Sequence, residues 1–384
     1  MPSRAHFLDQ LRTLLIALVI LHHAAITYAK ESCCWFLQQH SAGPWLSALL
    51  KLMLSFNQSF FMGMFFLISG YFVPASLEKK GVRMFLMDRL RRLGIPLLVT
   101  WLVLSPLTKA LAAVSKGTSL AEAIVQNLAP GQFKPESGVL WFVMALMLFS
   151  TGYVVWQQLS GYRFKRDPER PLPRTAVLAG LIALAASSSL VVASIAPLGE
   201  PIPATEVLNR LGLGYWAGNL SYLPPYITFF AIGCAAAQGR WLERISTRQA
   251  KTWGVVGLVS TTILVLISAL QLNGEQVGIA WINGYRSTIY LLISPFIACG
   301  VIVWLLWWFR THNIPYGTQL ADASADTYGA YILHPPVLVT GALLLQSVSW
   351  PVPINLILLF LGGTIASFGV SHILRRLPIS RGIL

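Results

Sequence analysis

Carboxylates are scarce in this chain: 14 Asp and Glu stand among 384 residues, against 28 Lys and Arg. Charged residues of both signs together make up only 11%, too few to clothe a soluble domain of this length. Cysteine is nearly absent too. Cys33 and Cys34 are adjacent, and Cys234 and Cys299 sit in apolar runs, so neither a metal spacing nor a disulfide framework follows. No internal repeat, low-complexity tract or separate polar domain interrupts the chain.

Apolar sequence fills the space instead. Hydrophobic residues make up 55% and the mean hydropathy is +0.64, with runs of about 18–25 residues recurring from end to end, the length that crosses a bilayer as a helix. They fall near 11–29, 46–75, 93–114, 139–159, 175–197, 222–238, 252–272, 285–308, 326–346 and 352–374. The expected fold is therefore all-α: a single integral-membrane domain over 1–384, a polytopic bundle of about ten transmembrane helices. A net charge of +14 would suit nucleic acid if it were spread over one surface. It is not. With the N-terminus inside, the alternate loops "SLEKKGVRMFLMDRLRR", "YRFKRDPERPLPR", "QGRWLERISTRQAK" and "WFRTHN", the tail "RRLPISRGIL", Arg4 and Arg12 hold 21 of the 28 basic residues. The other seven, Lys30, Lys51, Lys109, Lys116, Lys134, Arg210 and Arg286, lie opposite. This positive-inside asymmetry puts both termini in the cytoplasm and argues against a nucleic-acid partner. The first span carries Arg12 and His23 and lacks a clear small-residue cleavage site, unlike a disposable signal peptide. Among the loops, 115–138 and 197–221 are long enough to cover an outward-facing cavity, though plain surface loops account for them equally well.

Polar groups within the spans carry the functional signal. In "LRTLLIALVILHH", Arg12 and His23 are eleven residues apart, three helical turns and about 20°, so they share a face about 16 Å apart along the axis, while His22 points about 80° away. Ionisable groups inside a membrane usually face a bundle interior or wet cavity, and these two are expected to line one shared tunnel. The plainer account is that Arg12 snorkels to the surface and His23 packs between helices. In "DASADTYGAYILHPP", Thr327, Tyr331 and His334 form one helical stripe, and His334 precedes a Pro-Pro pair expected to disturb the helix; interfacial tyrosines are also common as structure. In "MDRLRRLGIP", Arg89 and Arg92 share a face suited to phosphate oxygens, although positive-inside bias explains them equally. No span carries an Asp or Glu in its interior, Asp326 lying at an edge, which weighs against a proton-driven carrier.

Taken in order, Arg12-x10-His23 preceded by Asp9 in "LDQLR", "FFMGMFFLISGYFVP", "DRLRRLGIP", "LWFV" and "YGAYILHPP" resemble acyltransferase family 3, bacterial polytopic enzymes that O-acylate carbohydrates and related acceptors, including a glucan-modifying branch. The resemblance covers nearly the whole chain. Thr327-Tyr328 stands where many members read Ser-Tyr, keeping a hydroxyl, and no esterase-like domain is appended. What the resemblance implies is an acyl-CoA co-substrate, acetyl-CoA or succinyl-CoA, bound from the cytoplasm without a metal. The other implied partners are a carbohydrate or glycolipid hydroxyl acceptor and the bilayer of a bacterial inner membrane, and self-association as a homo-oligomer is compatible with it. His23 is then the general base, with Arg12, Tyr331 and His334 around the reacting groups and Arg89, Arg92, Arg12 and Trp141 holding the CoA portion. A covalent acyl-enzyme route remains an alternative to direct transfer. From a different class, a secondary transporter or flippase of a sugar or lipid would use the same polar cavity. A metal site from His22, His23, His334 and His372 lacks a ligand spacing.

Overall fold

The computed structural model describes residues 6–29, 35–39, 42–129, 133, 136–198, 202–210, 214–277, 280–312, 317–380 and 382–383. Cys33 and Cys34, like Arg4, lie outside them. Thirteen α-helices follow in order: α1 His6–Ile26, α2 Pro44–Arg89, α3 Ile95–Val99, α4 Ser105–Val114, α5 Leu120–Leu128, α6 Trp141–Ser160 and α7 Thr175–Ile195, then α8 Thr205–Arg210, α9 Leu223–Gly239, α10 Thr247–Val277, α11 Ala280–Thr311, α12 Thr318–Gln346 and α13 Val352–Arg376. No strand occurs among the described residues. Most of α5 falls where a plain loop was an equal expectation; its Ser119 accepts the Glu122 N–H as an N-cap.

Nine helical runs among the described residues are long and apolar enough to cross a membrane. The longest, Pro44–Val114, has 71 residues, about 100 Å if straight, against a hydrocarbon core of about 30 Å. Gly81 breaks it, with φ 72° and ψ 165°, a backbone state that residues with a Cβ rarely reach. Ser69 and Leu93, equally far before and after Gly81, line the same cavity, so the chain doubles back there and the run makes two passes. That brings the candidate passes among the described residues to ten. The protein is a multi-pass membrane protein, and large apolar side chains such as Leu159 at 84% and Ile195 at 80% exposure meet lipid rather than water.

The second pass-forming segment after Gly81 is wound loosely. Leu90–Gly94 and Thr100–Leu104 are π-helical, and Pro96 and Pro106, having no N–H, leave carbonyls four residues earlier without an α-helical donor. Elsewhere the packing is tight. α2 and α9 cross where glycine meets backbone: a Cβ on Gly70 would lie 2.3 Å from the Phe230 carbonyl oxygen, and one on Gly233 would lie 2.2 Å from that of Leu67. Such small-residue contacts are how membrane helices gain van der Waals packing without a hydrophobic drive. Gly233→Leu is expected to force α9 off α2 and lower the melting temperature of the detergent-solubilised protein by more than a surface Leu substitution on α7 does; a thermal-shift series checks it.

α1 runs through the middle, packed against α2, α11, α12 and α13, with Leu11, Leu15 and Ile20 completely buried. Its contact with α12 joins the two polar segments singled out in the sequence. Thr13 Oγ1 and Ser324 Oγ are 3.1 Å apart near one end, and the two histidines meet deeper in the bundle.

Candidate active site

His23 Nδ1 and His334 Nε2 are 3.1 Å apart. His334 is completely buried on a helix that runs unbroken from Thr318 to Gln346, through Pro335 and Pro336. The helix continues through the pair, and a side chain makes good part of what the prolines remove. Pro335 has no N–H to give the Tyr331 carbonyl four residues back, and His334 Nδ1 takes that place at 2.7 Å. The same substitution occurs once more: Pro96 cannot serve the Arg92 carbonyl in α-helical register, and the Tyr328 hydroxyl donates to it at 2.7 Å.

These bonds assign the protons. A carbonyl oxygen only accepts, so His334 Nδ1 carries hydrogen and, in the neutral ring, its Nε2 is a lone-pair acceptor. His23 Nδ1 lies 2.9 Å from the Val19 carbonyl as well as 3.1 Å from His334 Nε2, two acceptors that both call for N–H at that position. The basic nitrogen of neutral His23 is therefore Nε2. Trp35, which no local motif singles out, stacks on the His23 ring at 4.6 Å and is steadied by an Nε1–H bond to Thr27 Oγ1 at 3.0 Å.

Two cavities lie along α1, one of them bordered by His23. The larger, about 390 Å³, is lined by His22, His23, Lys51, Gln58, Trp141 and Tyr331 among others, with Leu198 and Asn219 contributed by the long 197–221 connection. The smaller, about 220 Å³, is lined by Arg12, Phe65, Ser69, Phe142, Thr327, Tyr328 and Tyr331. Arg12 and His23 do lie on one face of an unbroken α1, yet they do not border one tunnel as expected. Tyr331 borders both cavities and separates them, its hydroxyl donating to the Val139 carbonyl. Gly138, at φ 48°, gives the tight turn that presents that carbonyl ahead of α6. The hydroxyl hydrogen of Tyr331 is engaged by that carbonyl in this structure, and its ring lines both cavities.

The arginines divide as well. Arg12 faces the smaller cavity, 3.4 Å from Asp9 Oδ1 and with its guanidinium 4.9 Å above the Phe72 ring. Arg92 is 3.4 Å from Asp88 with a 59% exposed side chain, and Arg89 lies 5.0 Å over the Phe85 ring; neither borders either cavity, though Leu93 and Tyr328 beside them line the smaller one. Trp141 lines the His23 cavity and not that of Arg12. The four histidines named for a metal do not converge: His372 Nδ1 is bonded to Asp326 at 2.8 Å, and among the described residues no group of three or more His, Cys, Asp or Glu is placed to hold one.

Asp326 reads in the sequence as a span-edge carboxylate. It is buried at 3% exposure and holds α12 to α13 through His372 and through Arg375 Nε at 2.6 Å, one residue before the Thr327 and Tyr328 that line the Arg12 cavity. The spacing of His372 and Arg375, three apart on one face of the last span, is the signal that pairs them with a single acceptor.

A histidine pair held between α1 and α12, with an arginine on the same helix three turns away, is set by elements from both ends of the chain, and the family comparison spans that whole extent. A family model described as an acyltransferase domain matches residues 5–376. The chain belongs to acyltransferase family 3. It is similar to proteins named glucans biosynthesis protein C: that of Salmonella heidelberg (strain SL476) is 25% identical over 195 residues, 46% of this chain and 45% of the relative. That of Salmonella paratyphi B is 26% identical over 192 residues, 46% of this chain and 44% of the relative. The match thus takes in less than half the length of these relatives. No solved structure matches.

Proposed function

We propose that this family member moves an acyl group from acyl-CoA to a hydroxyl of a carbohydrate or related envelope acceptor, with His23 as general base. The observation that carries this reading is the His23–His334 pair, whose hydrogen bonds leave Nε2 of His23 as the lone-pair nitrogen beside a cavity. In the reaction, Nε2 accepts the acceptor's hydroxyl proton as its oxygen attacks the thioester carbonyl. The new C–O bond forms, the C–S bond breaks, and the proton passes to the departing sulfur to give the free thiol of CoA. General-base help of this kind is worth about 10²–10⁴ in rate. His334 orients the imidazole and shares the charge of the imidazolium through Nε2, the part a third group plays in nucleophile–base–orienter arrangements.

The arginine-rich end of the bundle faces the cytoplasm on the positive-inside reading, placing the chain in a bacterial inner membrane with the donor entering beside Arg12. Arg12 offers a guanidinium fork to phosphate oxygens about 16 Å from the level of His23, a separation that the long pantetheine arm of CoA is made to cross. The acceptor enters the larger cavity from the opposite side, and the thioester passes Tyr331 to reach it. A carrier would use the same two vestibules on either side of a septum, so the deciding experiment is chemical. Purified protein, given acetyl-CoA or succinyl-CoA and a gluco-oligosaccharide, is expected to release CoA thiol in step with ester formation on the sugar; sugar movement across vesicles with no thiol release would favour the carrier. In that assay Arg12→Ala is expected to raise KM for acyl-CoA by about tenfold or more, as loss of a charge-assisted bond does, with a smaller rise for the acceptor. Arg92→Ala, whose side chain is turned to Asp88 and solvent, is expected to do less. The reverse order would move the phosphate site to the Arg89–Arg92 turn.

A further inference from the structure

One face of α2 forms a wall of the larger cavity through Lys51, Leu54, Ser55, Gln58, Phe61 and Met62, a helical stripe at three- and four-residue spacing. Phe61 marks the depth of the imidazoles, its ring 5.1 Å from that of His22. Lys51 is ten residues nearer the start of α2, about 15 Å along the axis. Among the described lining residues it is the one Lys or Arg, and none is Asp or Glu. Two lysines elsewhere are held by carboxylates, Lys80 by Asp88 at 2.8 Å and Lys109 by Glu136 at 2.9 Å; no such pair holds half-buried Lys51 among the described residues.

Resting on the acyl-transfer reading, we infer that the acceptor is an anionic carbohydrate, bearing a carboxylate or phosphate on a sugar unit beyond the one acylated, and that Lys51 binds that group. An ammonium removed from bulk water into a wall of low dielectric gains most from an entering anion. A neutral sugar offers it only hydrogen bonds. The distance places the charge on the acceptor and not on the acyl chain: the far carboxylate of a succinyl group is three bonds from the reacting carbon, within ~5 Å, well short of the level of Lys51. Between the two levels the wall is preformed, Tyr290 donating to the Ser55 carbonyl at 2.9 Å and Gln58 to the Tyr226 hydroxyl at 3.0 Å, which holds flat aromatic and amide surfaces in place for sugar rings.

The test uses the full chain in nanodiscs with acetyl-CoA and three gluco-oligosaccharides of equal length: neutral, carrying one glucuronate, and carrying one phosphate monoester. Both acyl transfer and equilibrium binding are measured, the latter by tryptophan fluorescence without donor. Wild type is expected to favour at least one anionic oligosaccharide by tenfold or more in kcat/KM and in Kd, the better of the two naming the group. Lys51→Met, which keeps the stem, is expected to bring it down to the neutral value; Lys51→Arg retains the preference, and raised salt narrows it. Equal use of all three by wild type overturns the inference, as does a preference that survives Lys51→Met. So does a Lys51 effect confined to succinyl-CoA as donor, which puts the charge on the acyl chain. Transfer without charge preference sinks this inference alone, while Lys51-dependent anionic binding without transfer to any sugar upholds the site and sinks the acyl-transfer reading alone.

Discussion

His23→Ala is expected to lower kcat for acyl transfer by about 10²–10⁴-fold while leaving extraction yield and melting temperature close to wild type. The ring borders a cavity and is held by one stack and two polar contacts, so its removal opens space already continuous with that cavity instead of emptying a dry core. With Nε2 of His23 gone, the nearest fixed lone pair is Nε2 of His334, which stands behind the lost ring and borders neither cavity. His22 lines the same cavity, but its ring sits against Phe61 with Nδ1 buried and unpartnered and lacks the orienting partner that His334 gives His23. Single-turnover assays of purified variant beside wild type, with fold checked by thermal shift, decide the matter. Transfer at the wild-type rate would remove His23 from the chemistry and with it the central step of the proposed function.

His334→Leu is expected to cost nearly as much, by a different route. This residue touches neither cavity; it acts through His23 and is a positioning residue. Without its Nε2, the His23 Nδ1–H is held by the Val19 carbonyl alone, the imidazolium formed during proton transfer loses a partner, and the Tyr331 carbonyl beside Pro335 is left without its donor. A loss of an orienting partner in comparable arrangements costs up to about 10⁴ in kcat, and an orphaned buried carbonyl costs about 1–3 kcal/mol of stability. The two effects separate with His334→Gln. Its amide oxygen accepts from His23 and its NH₂ donates to Tyr331, so part of kcat is expected to return, with KM for acyl-CoA little changed in either variant. A merely structural role predicts that kcat and KM shift together with the melting temperature and that Gln rescues none of kcat.

How far the linear chain foretells this site depends on the range of the contact concerned. The relation of Arg12 to His23 is local, eleven residues on one unbroken helix, and helix geometry alone puts them on one face. The passes follow from hydropathy for the same reason, and even the reversal inside the 71-residue run is marked by a glycine. Two more features were present without being read: a histidine just before Pro335 and a tyrosine on the same helix as the donor for a carbonyl freed by Pro96. Both follow from the absence of a proline N–H, but the partner of the second lies 236 residues away, and nothing local names it.

The phosphate-binding reading of Arg89 and Arg92 shows the limit from the other side. Spacing puts them on one face of an ideal α-helix, yet the chain there is π-wound, and their immediate neighbours Asp88 and Phe85 engage them. Likewise one face of α1 was enough to suggest a continuous tunnel, because a helix face says nothing of what stands between two of its points. Tyr331, brought in from α12 and tied to a turn before α6, supplies the partition.

What the amino-acid order determined by itself is the set of apolar helices long enough to cross a membrane and the Arg12–His23 register, since each rests on a pattern within one helix. What only the tertiary structure decided is which nitrogen of His23 is basic, that Arg12 and His23 line different cavities, and that a lysine without an ion pair among the described residues stands in the wall of one of them. Those depend on groups as far as 311 residues apart in the chain, where hydrogen-bond geometry and close packing, and no local rule, choose the partner.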